Sequence, residues 1–514
     1  MKSMQANRLM LVMFIITLAS TTIAQEKIKI ENVQSISLRN SGAIFSNKEV
    51  KGYFFFFMSD KINKVENEYT LKLTDQNLNP AKEIKFTDSK DVLLLESAYN
   101  GKDIVFQFYN RKESYMEYKI YSPDGKLKNT YTKEFDKKSK AYFERYIEMQ
   151  EETKSLFPLG NVGFASVLPV RDGKKYSYEV NFFLSDRKKQ VAFNPEDDEK
   201  LSQAQYIGST DSILLIQVMK KAKMLSNNLD SWLIGFNAIT GKKVFEMETV
   251  KDYNFYPLNV SAIRNSGGNY MLMGPYFEKN ERAGLDKSLG LGIWVMDSKG
   301  NVVSQKYNGW DGQLGKVLPV DAKGKVDDLG YVFVHSVVQA SNGNIFAIGE
   351  GYKKQASVTG IAGKMLGGST SAAKIRTTDM VLMQFDKDFN ITGAKIYDKT
   401  NNDVPLPNGS EFLNAPSLAL MVKALGGFDY DYTMADDNVD EFVVGYSDYE
   451  RSGEFKGLNF NTIRYDGQKI SQDKLSLNSK ASKMQILPAK IGSILIIEYY
   501  KKDKRLDVRI EKIN

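Results

Sequence analysis

The chain has 514 residues, 42% of them hydrophobic, with 70 Lys and Arg against 63 Asp and Glu, one histidine and no cysteine. The lack of cysteine excludes disulfides, thiolate metal sites and cysteine nucleophiles, and with them the lipid-bearing cysteine of a bacterial lipoprotein. A single histidine excludes a multi-histidine metal site. The net charge of +7 is interspersed, and its basic runs (137–138, 187–189, 501–504) are short and lie beside expected turns, which excludes a nucleic-acid footprint.

In chain order, residues 1–24 read as a secretory signal peptide. Lys2 and Arg8 precede an apolar run at 9–18, and Thr22-Ile23-Ala24 places small residues where signal peptidase cuts. The run is too short to span a bilayer comfortably, and no later stretch reaches the roughly 20 apolar residues of a spanning helix. Cleavage leaves 25–514 with about +5 once Lys2 and Arg8 are gone. The expected location is the periplasm or the outside of the cell.

Aromatic residues make up 12% of the chain, β-branched residues are frequent, and turn residues recur at short intervals. These features predict an all-β chain of many short strands. One unit repeats: a turn, an apolar strand, a second strand, a tight turn and a third strand. The first turn and strand occur eight times, at 46–58, 99–109, 159–170, 208–219, 265–276, 341–352, 436–446 and 490–500. Asn100-Gly101 and Asn342-Gly343 are the clearest turns, because Asn-Gly suits the positive φ that tight hairpins need. The second hairpin turn follows in seven units, at 74–79, 122–125, 186–189, 237–241, 297–300, 386–390 and 466–467.

The eighth unit has a third strand at 506–513 and no fourth, while a strand expected at 27–38 belongs to no unit. Four-stranded blades bury their faces against neighbouring blades around a ring. The economical arrangement is therefore a single β-propeller of eight four-stranded blades, the last closed by the N-terminal strand. Seven blades is the alternative, should the unit at 159–170 be irregular.

The repeat is interrupted by insertions at 308–330, 353–374 and 399–427. The third contains a short apolar helix at 417–425 before Gly426-Gly427. All three should emerge on one face over the later blades, and loops on a rigid scaffold are where function concentrates. The stretch 358–373 is rich in small residues and predicts a loop or short helix. It lacks the Gly-Lys-Ser/Thr ending of a phosphate-binding loop.

Candidate ligand-binding residues follow from this map. His335 falls on an expected innermost strand, 331–339, and can line the axial channel. Asp429 and Asp431 are two apart on another innermost strand and should share a face; paired carboxylates at a channel mouth suit glycoside hydrolysis or calcium binding. Trp310, Asp311 and Tyr352 lie on the inserted rim, where the rings offer stacking surfaces for a sugar or peptide. Asp386-Lys-Asp388-Phe-Asn390 partly matches a calcium loop but sits at an ordinary hairpin turn, which accounts for it. No catalytic residue, metal site or cofactor is assigned.

The insertion Gly360–Ala373, the run from Asp379 through Asp386-Lys-Asp388-Phe, and Asn461-Thr-Ile-Arg-Tyr-Asp-Gly467 resemble an exported, β-propeller-like family of unknown function from Bacteroidota. The resemblance implies compartment and fold, and no activity or site residues. The sequence therefore points to an exported, non-catalytic binding or scaffolding propeller, with a protein, peptide or glycan ligand on the inserted rim. The alternative is a carbohydrate-active enzyme using channel-mouth carboxylates. Oligomeric state is open.

Overall fold

A computed structural model describes residues 27–513 apart from 47–48, 150–153, 186–189, 197–198, 211, 224–229, 265, 282–286, 322–323, 358–369, 408–414, 437, 439 and 451–455. The signal segment, the turn at 186–189 and most of the small-residue stretch lie outside the described residues.

The described strands form seven hydrogen-bonded sheets, nearly all antiparallel. The first consists of Ser41–Ser46, Glu49–Lys61, Glu66–Asp75 and Pro80–Ser89 in sequence order, and the second of four strands from Val92–Tyr99 to Leu127–Glu134. An eight-stranded sheet follows. It is two four-stranded halves joined by one parallel residue pair, Tyr176 with Leu201. First strands of most successive units pack on each other, and Ser41–Ser46 also meets the last unit's Lys483–Pro488. This radial, sequential order is a β-propeller.

Burial follows position in the blade. Second strands such as Ile104–Asn110 are buried along their whole length, because a neighbouring blade covers each face. Outer strands such as Lys243–Glu248 and Ile470–Leu477 are largely accessible. Blades meet through apolar and aromatic side chains. Phe346 and Ile348 pack with Phe442, Val444 and Tyr465 of the next unit, and Phe54 meets Phe106 edge-on at 5.9 Å. Burying one such side chain fully contributes about 1.5–3 kcal/mol.

The ends close the ring as the unpaired strand required. Lys27–Ile30 pairs antiparallel with Arg505–Lys512, Ile28 opposite Val508 and Ile30 opposite Leu506. The strand expected at 27–38 is shorter than that. Val33 N–H donates to the Lys504 carbonyl and the Tyr499 hydroxyl donates to the carbonyls of Val33 and Gln34. The chain then crosses to the first unit, where Met58 N–H donates to the Ser35 carbonyl.

Among the described residues two α-helices interrupt the strands. Helix α1, Lys137–Met149, occupies a connection expected to be a turn beside a basic run. Asp136 caps it, its carboxylate accepting from the N–H groups of Lys138 and Ser139. Phe143 anchors it against Phe135, with ring centroids 5.0 Å apart. Helix α2, Ala415–Ala424, is the expected apolar helix and ends at Gly426, whose φ of 62° needs glycine.

Two of the insertions fold together. Asn402–Pro407 pairs with the inner part of Thr370–Phe385, and α2 packs on them through Leu418, Ala419 and Val422 against Ile375, Val404 and Leu406. The third adjoins at Leu329, whose carbonyl accepts from Thr378 Oγ1 at 2.6 Å. Residues 370–373, expected in a loop or short helix, belong to a strand.

Candidate functional site

Glu350 stands in the otherwise apolar run Ile345-Phe-Ala-Ile-Gly-Glu350 and is completely buried. Its carboxylate accepts from the backbone N–H groups of Asp429, at 3.0 Å, and Tyr430, at 3.1 Å. It thereby holds the start of the next blade's innermost strand. Lys399, just past strand Ile391–Tyr397, brings its ammonium to 3.3 Å from Glu350 and 2.6 Å from Asp429 Oδ2. Thr377 Oγ1 and Asn402 Nδ2, each at 3.1 Å, occupy the remaining Asp429 positions.

The two innermost strands at this corner each carry a β-bulge. In Tyr331–Gln339 the extra residue is His335, between the pairs Val334–Gly349 and Ser336–Ile348. In Tyr430–Ala435 it is Asp431, between Tyr430–Tyr446 and Tyr432–Gly445. A bulge re-aims its side chain out of strand alternation. Asp429 and Asp431 therefore do not share a face by alternation as expected. Asp429 points to Lys399, whereas Asp431 accepts from Ser447 Oγ at 2.8 Å and reaches solvent.

His335 stacks on Tyr430 at 4.6 Å and 4° and meets Phe428 edge-on at 4.8 Å. Its Nδ1 lies 3.4 Å from the ammonium of Lys423 in α2, and its buried Nε2 lies 3.5 Å from Glu350 Oε2 without a hydrogen bond. An ammonium is donor only, so Nδ1 accepts and the proton of the neutral ring sits on Nε2, toward Glu350.

Burial governs the protonation states. It pushes the Glu350 and Asp429 carboxyls above the usual range, opposed by Lys399. For Lys399 burial acts against the charge, but Glu350 and Asp429 outweigh it and raise the ammonium. His335 is held well below 6.5 by burial and by Lys423 and Lys399. Asp431 is pushed up to about 7 by burial, with Asp429 and Glu350 adding to the rise against the Ser447 hydrogen bond. Asp431 combines contact with water and a surrounding wall of protein.

Beside Asp429 opens a cleft of about 300 Å³, lined by Thr400, Asn401, Asn402, Asp429, Ser447, Asp448, Tyr449 and Leu458. Its wall is braced where Asp448 accepts from Thr400 N–H at 2.9 Å. Tyr449 is 54% exposed. Among the described residues no group of three His, Cys, Asp or Glu side chains is placed to hold a metal ion.

The sequence-derived candidates divide. His335, Asp429 and Asp431 come together at this corner. Trp310 and Tyr352 lie on the inserted rim but are only 4% exposed, so neither ring offers a stacking surface. Trp310 donates to Ser288 Oγ at 3.0 Å and packs with Leu314 and Leu318; Tyr352 lies against Phe428. Asp311 is exposed beside Gly309, away from the buried cluster. Glu350, Lys399, Lys423, Asn402 and the 447–449 segment were not singled out in the sequence. The one local signal was Glu350, a lone charge inside an apolar strand. The Asp386 carboxylate accepts from the N–H groups of Asp388 and Asn390, the geometry of a turn.

The fold and this corner define a β-propeller with a buried charge cluster between two adjacent blades and a polar cleft at its edge. The chain matches the family of unknown function DUF6770 over residues 4–514 and belongs to that family. No curated protein sequence matches it significantly. Among solved structures it is similar to prolyl oligopeptidase B from Galerina marginata, with TM-score 0.39, 10% identity and coverage of 90% of this chain and 56% of that one. It is also similar to the WD40 domain of SCAP from fission yeast, with TM-score 0.35, 9% identity and coverage of 96% and 97%. The chain thus spans about half the length of the peptidase. These likenesses are low, and the fold stands on the chain's own strand order. No described helix is long and apolar enough to cross a membrane.

Proposed function

We propose that this protein is an exported, non-catalytic binding propeller of eight blades whose cleft beside Asp429 takes a glycan. The observation that carries this reading is the cleft of about 300 Å³ itself, at the small end of ligand pockets. Its amide, hydroxyl and carboxylate groups match the alternating donors and acceptors of sugar hydroxyls. Tyr449 supplies an exposed aromatic face for the apolar side of a sugar ring. A non-catalytic role is favoured because both Asp429 oxygens are already engaged by Lys399, Thr377 and Asn402. Export is favoured by the charged, apolar and small-residue order of 1–24, and the blade count by splitting the eight-stranded sheet at its single parallel pair.

A glycan array followed by calorimetry tests the binding role. The wild type should bind a glycan, and Tyr449→Ala and Asn401→Ala should each weaken it by about tenfold, the loss of 1–2 kcal/mol expected for one stacking or hydrogen-bonding contact. An array without hits, or a Tyr449→Ala protein that binds as before, removes the reading. Export is checked by the mature N-terminus, which should be Gln25; an intact Met1 on the cell-derived protein contradicts it.

One observation supports the enzymatic alternative. Asp431 reaches water with its pKa pushed up to about 7, the range of a general acid at neutral pH. Asp431→Asn would then abolish glycan hydrolysis; unchanged hydrolysis, or none in the wild type, rejects it.

A further inference from the structure

Lys423 is the one member of the corner that neither the charge pairing of Glu350 nor the cleft explains. It sits in the last turn of α2, is exposed, and is not among the residues lining the cleft. Its Nζ lies 3.4 Å from His335 Nδ1 and 5.3 Å from the centre of the Tyr430 ring. Behind it, His335 Nε2 faces Glu350 at 3.5 Å. An accessible amine, a buried imidazole and a buried carboxylate thus stand in line. The amine has an imidazole nitrogen within reach to take its proton, with the carboxylate beyond it and not hydrogen-bonded to it.

From this line we propose that Lys423 is a carbonyl-reactive amine, which captures a small aldehyde as an imine at the exposed end of α2. In the step, the neutral amine attacks the carbonyl carbon and forms a C–N bond. The carbonyl π pair moves to oxygen, which takes a proton, while the nitrogen releases one to His335 Nδ1 or water. The carbinolamine then loses water as the C=N bond forms. Atoms balance as amine plus aldehyde giving imine plus water, with no redox partner. His335 serves only as a proton acceptor for the nitrogen, and the aldehyde itself meets Lys423 alone.

The surroundings agree. Although the side chain reaches solvent, the protein packed around its ammonium lowers the Lys423 pKa from its ordinary range, and the charge of Lys154, just before strand Leu156–Leu159 of the third unit, lowers it further against the opposing pull of Glu350. These are the two ways a lysine is made nucleophilic near neutral pH. A helix C-terminus ordinarily favours a cation. Here the last carbonyls of α2 are already taken: Met421 accepts from Leu425, Val422 from Gly427 and Lys423 from Gly426. The groups facing Lys423 are therefore His335, Tyr430, Glu350 and Lys154.

The test is reductive trapping of the full chain with glyceraldehyde and cyanoborohydride at pH 7, followed by peptide mapping. Lys423 should be alkylated severalfold faster than the solvent-exposed Lys387, and the difference should close as pH rises toward 10. Lys154→Gln, an exposed change that leaves the core alone, should slow Lys423 labelling severalfold and move its pH profile upward. Equal labelling of Lys423 and Lys387, or a Lys154→Gln protein with an unchanged profile, overturns the proposal. Neither result depends on the cleft, so the glycan reading stands or falls separately.

Discussion

Two corners of the propeller are built on the same backbone device and filled differently. Near residue 96 the innermost strand bulges at Leu95, which is buried, and the Glu96 carboxylate accepts from Ser155 N–H, Ser155 Oγ and Leu156 N–H. It thus clamps the start of the next blade. Near residue 350 the innermost strands bulge at His335 and Asp431, and Glu350 clamps Asp429 and Tyr430 in the same manner. The first corner is closed with an apolar bulge residue and neutral donors, and the lysine that acts on Glu96, Lys154, is exposed. The second adds Lys399, Lys423 and a buried histidine. The clamp is thus a structural need of adjoining blades, and the surplus of ionisable groups in the second corner is what requires a functional explanation.

Removing the clamps separates the corners most strongly. Glu350→Ala leaves Lys399 buried beside Asp429 alone and should cost about 3–5 kcal/mol in urea unfolding, the usual loss when one partner of a buried pair is deleted. Glu96→Ala strips donors that carry no charge and should cost about 1–3 kcal/mol. Equal losses would break the comparison. It sharpens in the double variant Glu350→Met with Lys399→Met, which should recover much of the loss, because an apolar pair replaces a buried ionic one at little cost.

A smaller effect comes from Asp431. Its folded pKa is raised from 3.8 to about 7. Its contribution to stability is therefore complete below about 3.8 and is lost as pH rises through about 7. Asp431→Asn should melt above the wild type at pH 8, by about one or two degrees given its contact with water, and that advantage should shrink through pH 5 and vanish near pH 3.8. A gain independent of pH would show that the carboxyl titrates normally.

Much of the fold was legible because it is written locally. Turns of one kind recur: Asp75 with Asn79, Asp297 with Asn301 and Asp386 with Asn390 each join a carboxylate to an amide four residues on. The unpaired N-terminal strand predicted the closure. Helix α1 escaped because its basic first turn read as a solvated strand end, although Asp136 was a visible cap. The site was half legible. Innermost strands and their polar residues located His335, Asp429 and Asp431, but a bulge leaves no alternation signal, so the aim of Asp431 was not readable. Lys399 and Glu350 lie 49 positions apart and meet only through strand pairing within one sheet, where Met380 pairs with both Glu350 and Tyr397. Trp310 and Tyr352 misled because aromatic residues on a rim serve packing as readily as binding.

The single histidine makes one measurement decisive. In a protein labelled with nitrogen-15 at histidine, all imidazole signals belong to His335. In the second corner the His335 ring is buried and stays neutral, with its proton on Nε2 and Nδ1 accepting from Lys423. Its signals should hold the Nε2–H tautomer pattern from pH 8 to below pH 6, and Lys423→Met should shift Nδ1. A histidine that titrates near 6.5 with mixed tautomers would contradict that picture, because it would place His335 in water and dissolve the distinction between the two corners.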